Sequence, residues 1–305
     1  MPDTPSKLAV RPVNTVSQTS YRNYLDNLLY TRTGDSRGLT GAQHDLAQAN
    51  ILNELTSFGL QTYLDPFTYT NNTYYNVIGV LPGTTARSNE IYIVGAHYDS
   101  TGNPSFPMPG ADDNASGVAA VLEAARVLSK FRFEATLVFA AFDREEQHKI
   151  GSTAYALNHQ YDNIRGMVSL DMIAFNDPDP KSHNAAWLFG REASSGITTD
   201  MKNAINLYSP SITVWGGYGS TSSDHFPFEE LGFQACMFTE GGYNPKKHHP
   251  TDTVDTPNYI DYEYATQFTR STVGYLATSA GVVSIPEPSS WLLVLLGIVL
   301  LVRRR

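Results

Sequence analysis

Cysteine is almost missing from this chain. One residue, Cys236, occurs in 305, so no intramolecular disulfide can form, and its setting in GFQACMF reads as that of a small buried hydrophobe. Basic residues are also scarce, 21 Lys and Arg against 30 Asp and Glu for a net charge of −9. The acidic residues are dispersed, which excludes a nucleic-acid surface, because phosphate binding needs clustered Lys and Arg. The opening stretch MPDTPSKLAVRPVNTV lacks the apolar core of a secretory leader, and internal repeats are absent. What remains is a globular balance, 41% apolar with 17% charged residues, long enough for one large core.

Long apolar runs are likewise missing until the C-terminus, IPEPSSWLLVLLGIVLLVRRR. The uncharged run from Trp291 to Val302 is shorter than the ~20 residues of an ordinary membrane span. Its closing Arg303, Arg304 and Arg305 suit a membrane segment held by cytoplasmic positive charge better than a buried helix. Pro-Glu-Pro followed by an apolar run and arginines closely resembles the PEP-CTERM sorting signal of bacterial exported proteins. That resemblance implies recognition by an exosortase-type processing enzyme and export to the cell envelope or beyond. Proteins of that kind also carry a leader, and a start placed too far downstream would explain its absence here.

The pattern predicts a flexible segment over 1–18, a catalytic domain over 19–282 and a linker with sorting segment over 283–305. Leu25, Leu28 and Leu29, then Leu46, Ile51, Leu52 and Leu55, recur at helical spacing, with Gly59 as a stop. Apolar runs in FTYT, YYNVIGVL, IYIVGAHYD, EATLVFAAFD, IRGMVSLDMIAF, AAWLFG and FQACMFTE read as strands. ASGVAAVLEAARVLSKF, GSTAYALNHQ and SSGITTDMKNAINLY between them read as helices, and Tyr259 to Gly281 as a closing one. Apolar strands alternating with helices predict an α/β fold with a mostly parallel central sheet flanked by helices on both faces.

In such sheets ligands bind beyond the carboxyl ends of the strands. The residues there are His97 and Asp99 after IYIVGA, Glu145 and Glu146 after TLVFAAF, and Asp171 after GMVSL. Asp112 and Asp113 in PGADDNASG, and His248 and His249 in NPKKHHPTDT, add to them. Carboxylates converging with imidazoles repel one another unless a divalent cation relieves them. Nitrogen and oxygen donors without thiolate favour zinc, with cobalt or manganese as substitutes, and the set is large enough for two ions. Adjacent glutamates at a strand end diverge, so one can ligate a metal while its neighbour serves as general base.

The series GAHYDS, GADDNASG, FDREEQHKIGS, SLDM, SSDHFPFEELG and YNPKKHHPTDT resembles the co-catalytic dizinc aminopeptidase family that includes bacterial leucyl aminopeptidase, over about Tyr21 to Ala280. The resemblance implies a zinc-exopeptidase fold, two Zn²⁺, and peptide substrates with a free N-terminus. Carried over by motif, His97 and Asp171 hold one zinc, Glu146 and His248 the other, and Asp113 bridges them. Glu145 is then the general base and Asp99 orients His97. The match departs at Lys247, where some members carry a tyrosine that stabilises the oxyanion. Tyr218 in WGGYGSTSSDH is the nearest substitute, and Met172 and Met237 fall near an apolar side-chain pocket. His148 and His225 read as structural or solvent-facing.

The expected function is metal-dependent removal of N-terminal residues. One alternative is a glutaminyl cyclase-like aminoacyltransferase, disfavoured because only Gln147 to Ile150 separate the glutamates from the following Gly-Ser. Another is a binding ectodomain of the same fold, disfavoured because it would need neither ligands nor a base.

Overall fold

The computed structural model describes residues 7–38, 41–103 and 105–283. In chain order its elements are α1 (Lys7–Val13), α2 (Gln18–Asn23) continued by a π-helical turn over Tyr24–Leu28, α3 (Ala42–Ser57), β1 (Gln61–Tyr69), β2 (Asn72–Leu81), β3 (Ile91–His97), α4 (Gly117–Leu128), β4 (Thr136–Phe142), α5 (Ile150–Asn158), β5 (Ile164–Leu170), β6 (Ala185–Gly190), α6 (Ser195–Tyr208), β7 (Thr213–Tyr218), α7 (Phe226–Glu230), β8 (Ala235–Glu240) and α8 (Tyr262–Ser279). The eight strands form one sheet in the order β1-β2-β4-β3-β5-β8-β6-β7.

The central run β4-β3-β5-β8 is parallel, as is the β6–β7 pair, while β1–β2, β2–β4 and β6–β8 are antiparallel. Strand β4 shows why both faces are covered. Leu137, Phe139 and Ala141 enter the core shared with α4 and α8, whereas Val138, Ala140 and Phe142 enter a second core with Tyr155 of α5 and Phe228 of α7. Successive strand side chains point to opposite faces, so an all-apolar strand requires helices on both. Edge strand β1 is only half buried and tolerates Pro66, as edges do. Helix α4, GVAAVLEAARVL, is buried almost all round, as a helix apolar on every face must be. Asp261 caps α8 by accepting the Tyr264 amide at 3.0 Å.

One expectation needs correction. Within 1–18, residues 7–13 form α1, and Ala9, Val13 and Val16 are buried in the main core. The three residues recur at helical spacing, but three prolines and polar neighbours hide the pattern in the sequence. Helix α7 and edge strand β7, TVWGGY, are elements that local pattern does not predict; β7 has neither a long apolar run nor a buried face. The tail expected to sort the protein lies outside the described residues from 284 onward. Just before it, Val282 bridges Phe133 and the Val283 amide donates to Arg132 O at 2.8 Å. Among the described residues no helix is long and apolar enough to cross a membrane.

Candidate metal centre

Strand order positions the centre. The chain passes from β3 to β4 on one side of it and then to β5 on the other, so the loops leaving these strands open around the end of β3. His97 is the last residue of β3, Glu145 and Glu146 follow β4, and Asp171 follows β5. Asp113 comes from the turn Ala111–Ser116 that leads into α4. Gly110 precedes this turn at φ 59°, and a Cβ there would stand 2.1 Å from Asp113 O. At the start of α4 a Cβ on Gly117 would lie 2.4 Å from Leu170 O, so glycine lets the helix reach the end of β5.

The two oxygens of Asp113 face different imidazoles. Oδ1 lies 3.3 Å from His97 Nε2, and Oδ2 lies 3.0 Å from His248 Nε2. On the first side Asp171 Oδ1 is 3.8 Å from His97 Nε2, and on the second Glu146 Oε2 is 3.2 Å from His248 Nε2. Donor atoms of His97, Asp113 and Glu146 all lie within 4.8 Å of one another. Glu145 sits beside this group, with Oε2 4.0 Å from His97 Nε2. Of the paired candidates, Asp112 points away into a network with the Ala174 amide and Asn244, and His249 turns outward to Thr251.

Asp99 explains how two adjacent glutamates are held. Its Oδ1 accepts the Glu145 amide at 3.2 Å and its Oδ2 the Glu146 amide at 3.3 Å. His97 Nδ1 donates to the Asp99 carbonyl at 3.2 Å, which turns Nε2 toward Asp113 and Asp171. Asp99 therefore meets the imidazole through its carbonyl and, at 3.4 Å, through Oδ1, while its carboxylate also holds the two glutamate amides. Arg37, fully buried, donates to the carbonyls of Leu29, Tyr98, Pro109 and Gly110. It ties the N-terminal segment to the turns carrying Asp99 and Asp113.

Charge in the centre is heavily one-sided. Burial pushes the Glu145 carboxyl up to about 9, with Asp224, Asp171 and Glu146 adding to it against His97. Burial and then Asp113 push Glu146 up to about 7. His248 is held up to about 10 by Asp113 and Glu146. His97 stands well above the ordinary imidazole value, because contacts with Asp113, Asp171 and Asp99 outweigh its burial. Glu146 Oε1 and Asp171 Oδ1 are buried and have no hydrogen-bond partner. Two imidazoles and three carboxylates, with orphaned oxygens and no thiol, fit a borderline cation such as zinc.

The remaining sequence candidates lie elsewhere. A cavity of about 190 Å³ opens over the cluster, lined among others by Glu145, Asp171, Ser222 and His248. Tyr218, Met172 and Met237 are not among its lining residues. Tyr218 is the last residue of edge strand β7 and is 77% exposed, while Met237 touches the cavity only indirectly, through its Sδ 3.8 Å from Ser222 Oγ. His148 is exposed at the cavity's edge. His225 is buried, donates from Nε2 to Ser220 O at 3.0 Å, and is pushed down to about 4 by burial. Sequence reasoning missed Arg37 and the structural role of Asp252, whose carboxylate accepts the amides of Asp112 and Asp113. A lone arginine in RTGDSRGLTG carries no signal of burial, whereas an Asp shortly after two candidate histidines carries a weak one.

A family model described as Peptidase family M28 matches residues 76–273. Leucine aminopeptidase 1 of Arthroderma otae is 29% identical over 227 residues, 69% of this chain and 59% of that relative. The chain therefore spans well under two thirds of that relative's length. Among solved structures, the LapA aminopeptidase of Legionella pneumophila aligns with a TM-score of 0.77 at 19% identity, covering 92% of this chain and 78% of that one. A glutaminyl cyclase of Bacteroides thetaiotaomicron aligns with a TM-score of 0.68 at 19% identity, covering 85% of this chain and 97% of that one. At these identities the structural likeness establishes the α/β fold alone.

Proposed function

The chain belongs to peptidase family M28, and from that premise we propose that it is a zinc-dependent aminopeptidase removing N-terminal residues from peptides. One observation carries the reading: Asp113 presents one oxygen to His97 and the other to His248, while Glu145 lines the cavity just outside this set. His97 and Asp171 would hold one ion, Glu146 and His248 a second, and Asp113 both. Bound zinc supplies a Lewis acid and lowers the pKa of water to about 7. Glu145 takes the proton of the attacking water and passes it to the leaving amine. Asp99 keeps the base and the adjacent ligand in fixed relation by holding both of their amides. The surrounding carboxylates give a free α-ammonium group an anionic seat, which favours cleavage at the N-terminus.

The purified chain should contain close to two zinc ions, hydrolyse aminoacyl-anilides, and lose that activity to a chelator and regain it with zinc. Cyclisation of a glutaminyl peptide without anilide hydrolysis would replace this reading with the cyclase. We also propose that the tail beyond Val283 is an address read by an exosortase-type enzyme, a reading supported by its composition.

A further inference from the structure

Two cations share the cavity with the carboxylates. Lys247 precedes His248, and its Nζ lies 3.8 Å from Asp113 Oδ2 with the side chain 44% exposed. Lys149 lines the same cavity from the loop that follows the paired glutamates. That loop is fixed: the Lys149 amide donates to Glu145 O at 2.8 Å, the Ile150 amide to Arg144 O at 3.0 Å and the Gly151 amide to Asp143 O at 3.0 Å. His148 and Lys149 both stand at positive φ, 74° and 60°, a conformation non-glycine residues adopt only when their surroundings impose it. Among the described residues Lys149 forms no ion pair.

Lysines here work against the need of an aminopeptidase to hold an α-ammonium group, since like charges repel. They become useful when they meet the other end of the substrate. The cavity is also small, about 190 Å³, below the ~300–1,000 Å³ of ordinary ligand pockets. It therefore suits a short portion of peptide, in which a second charged group falls close to the scissile bond. With Lys247 Nζ beside Asp113 and Lys149 on the same cavity wall, cations stand next to the carboxylates and make a bipolar site, matched to a substrate with an ammonium at one end and a carboxylate close by.

Resting on the aminopeptidase reading, we propose that Lys149 and Lys247 bind a substrate carboxylate, so that the site prefers peptides carrying one on the residue after the scissile bond. That carboxylate is either the free C-terminus of a dipeptide or an acidic second side chain. The test measures kcat/KM of the zinc-loaded protein on leucyl-anilide, Leu-Gly, Leu-Gly-amide, Leu-Glu-amide and Leu-Gln-amide. A charge-assisted hydrogen bond predicts a preference of about 10-fold or more. A Leu-Gly over Leu-Gly-amide preference identifies the C-terminal source, and Leu-Glu-amide over Leu-Gln-amide the side-chain source. The ratio should fall toward one in Lys247→Met and Lys149→Met and be kept in Lys247→Arg. Both ratios near one in the unmodified protein, with the anilide cleaved, would overturn this inference alone. Ratios unchanged in both methionine variants would also overturn it. Failure to cleave the anilide or any of the peptides would overturn the aminopeptidase reading and this inference with it.

Discussion

The carboxylate of Asp252 accepts the backbone amide of Asp113 at 3.0 Å, across 139 residues of chain. Its other oxygen accepts the Asp112 amide at 2.7 Å and the Tyr259 hydroxyl at 3.1 Å. The next residues are themselves anchored, with Thr253 Oγ1 and the Val254 amide both donating to Thr31 O. The loop carrying His248 and the turn carrying Asp113 are thereby locked together.

Asp252→Asn replaces one acceptor with a donor and leaves a buried amide facing it. The expected loss is about 1.5–3 kcal/mol of stability, measured by urea unfolding, together with a lower zinc content by elemental analysis. Unchanged stability and unchanged zinc would show that the turn is held without Asp252.

Glu145→Gln and Glu146→Gln should fail differently, though the chemical change is the same. The first should keep zinc content and thermal stability and lose kcat by about 10²-fold or more with KM little changed, the range of general base catalysis. The second exchanges an anionic ligand for a neutral one, so zinc affinity should drop and excess zinc should restore part of the activity. Zinc loss in the Glu145 variant, with zinc retained in the Glu146 variant, would mean that the two roles are reversed.

Arg37→Met strips the donor from several buried carbonyls at once. The expected cost is about 3 kcal/mol or more, read as a lower urea midpoint. Arg37→Lys should not recover it, because an ammonium cannot reproduce the spread of a planar guanidinium. Full recovery by lysine would leave only charge, and not geometry, as the contribution of Arg37.

His44 is buried with Nε2 2.8 Å from Asp143 Oδ1 and Nδ1 3.1 Å from Asp45 Oδ1. Although burial opposes its charge, these bonds raise its pKa above the ordinary value. A folded pKa above the unfolded ~6.5 means the contribution is full below about pH 6.5 and is lost as pH rises through the folded value. The unmodified protein should therefore lose more thermal stability over that window than His44→Gln does. Parallel stability profiles for the two would dissociate His44 from the pH dependence.

Truncation after Val283 should leave folding and anilide hydrolysis intact, since the last described hydrogen bond before the tail is made by the Val283 amide. Truncation before Phe133's partner Val282 should cost stability by removing that bridge. Loss of folding on the first truncation, followed by circular dichroism, would mean that the tail belongs to the core.

Local pattern was enough for much of this protein. The apolar strands β3, β4 and β5 are legible because burial on both faces demands uninterrupted apolar residues, and α4 because its alanines and valines leave no polar side. Once those strands are read, the rule that ligands gather at their carboxyl ends picks out His97, Glu145, Glu146 and Asp171 without knowing which strands are neighbours. Helix α1 and strand β7 escaped because each is short and its order is imposed by what it packs against.

What only the tertiary structure gives is the set of contacts that separates the members of each pair, which the motif resemblance tells apart by position alone. Asp112 and Asp113 are neighbours of one type, yet one is turned to the Ala174 amide and Asn244 and the other to two imidazoles. His248 and His249 part in the same way, one toward Asp113 and Glu146 and the other toward Thr251. The sequence determines that carboxylates and imidazoles are available at one sheet edge, because strand periodicity is a local property. Which oxygen faces which nitrogen depends on contacts between residues more than a hundred positions apart, such as Asp252 with Asp113, and those exist only once the sheet has brought the loops together.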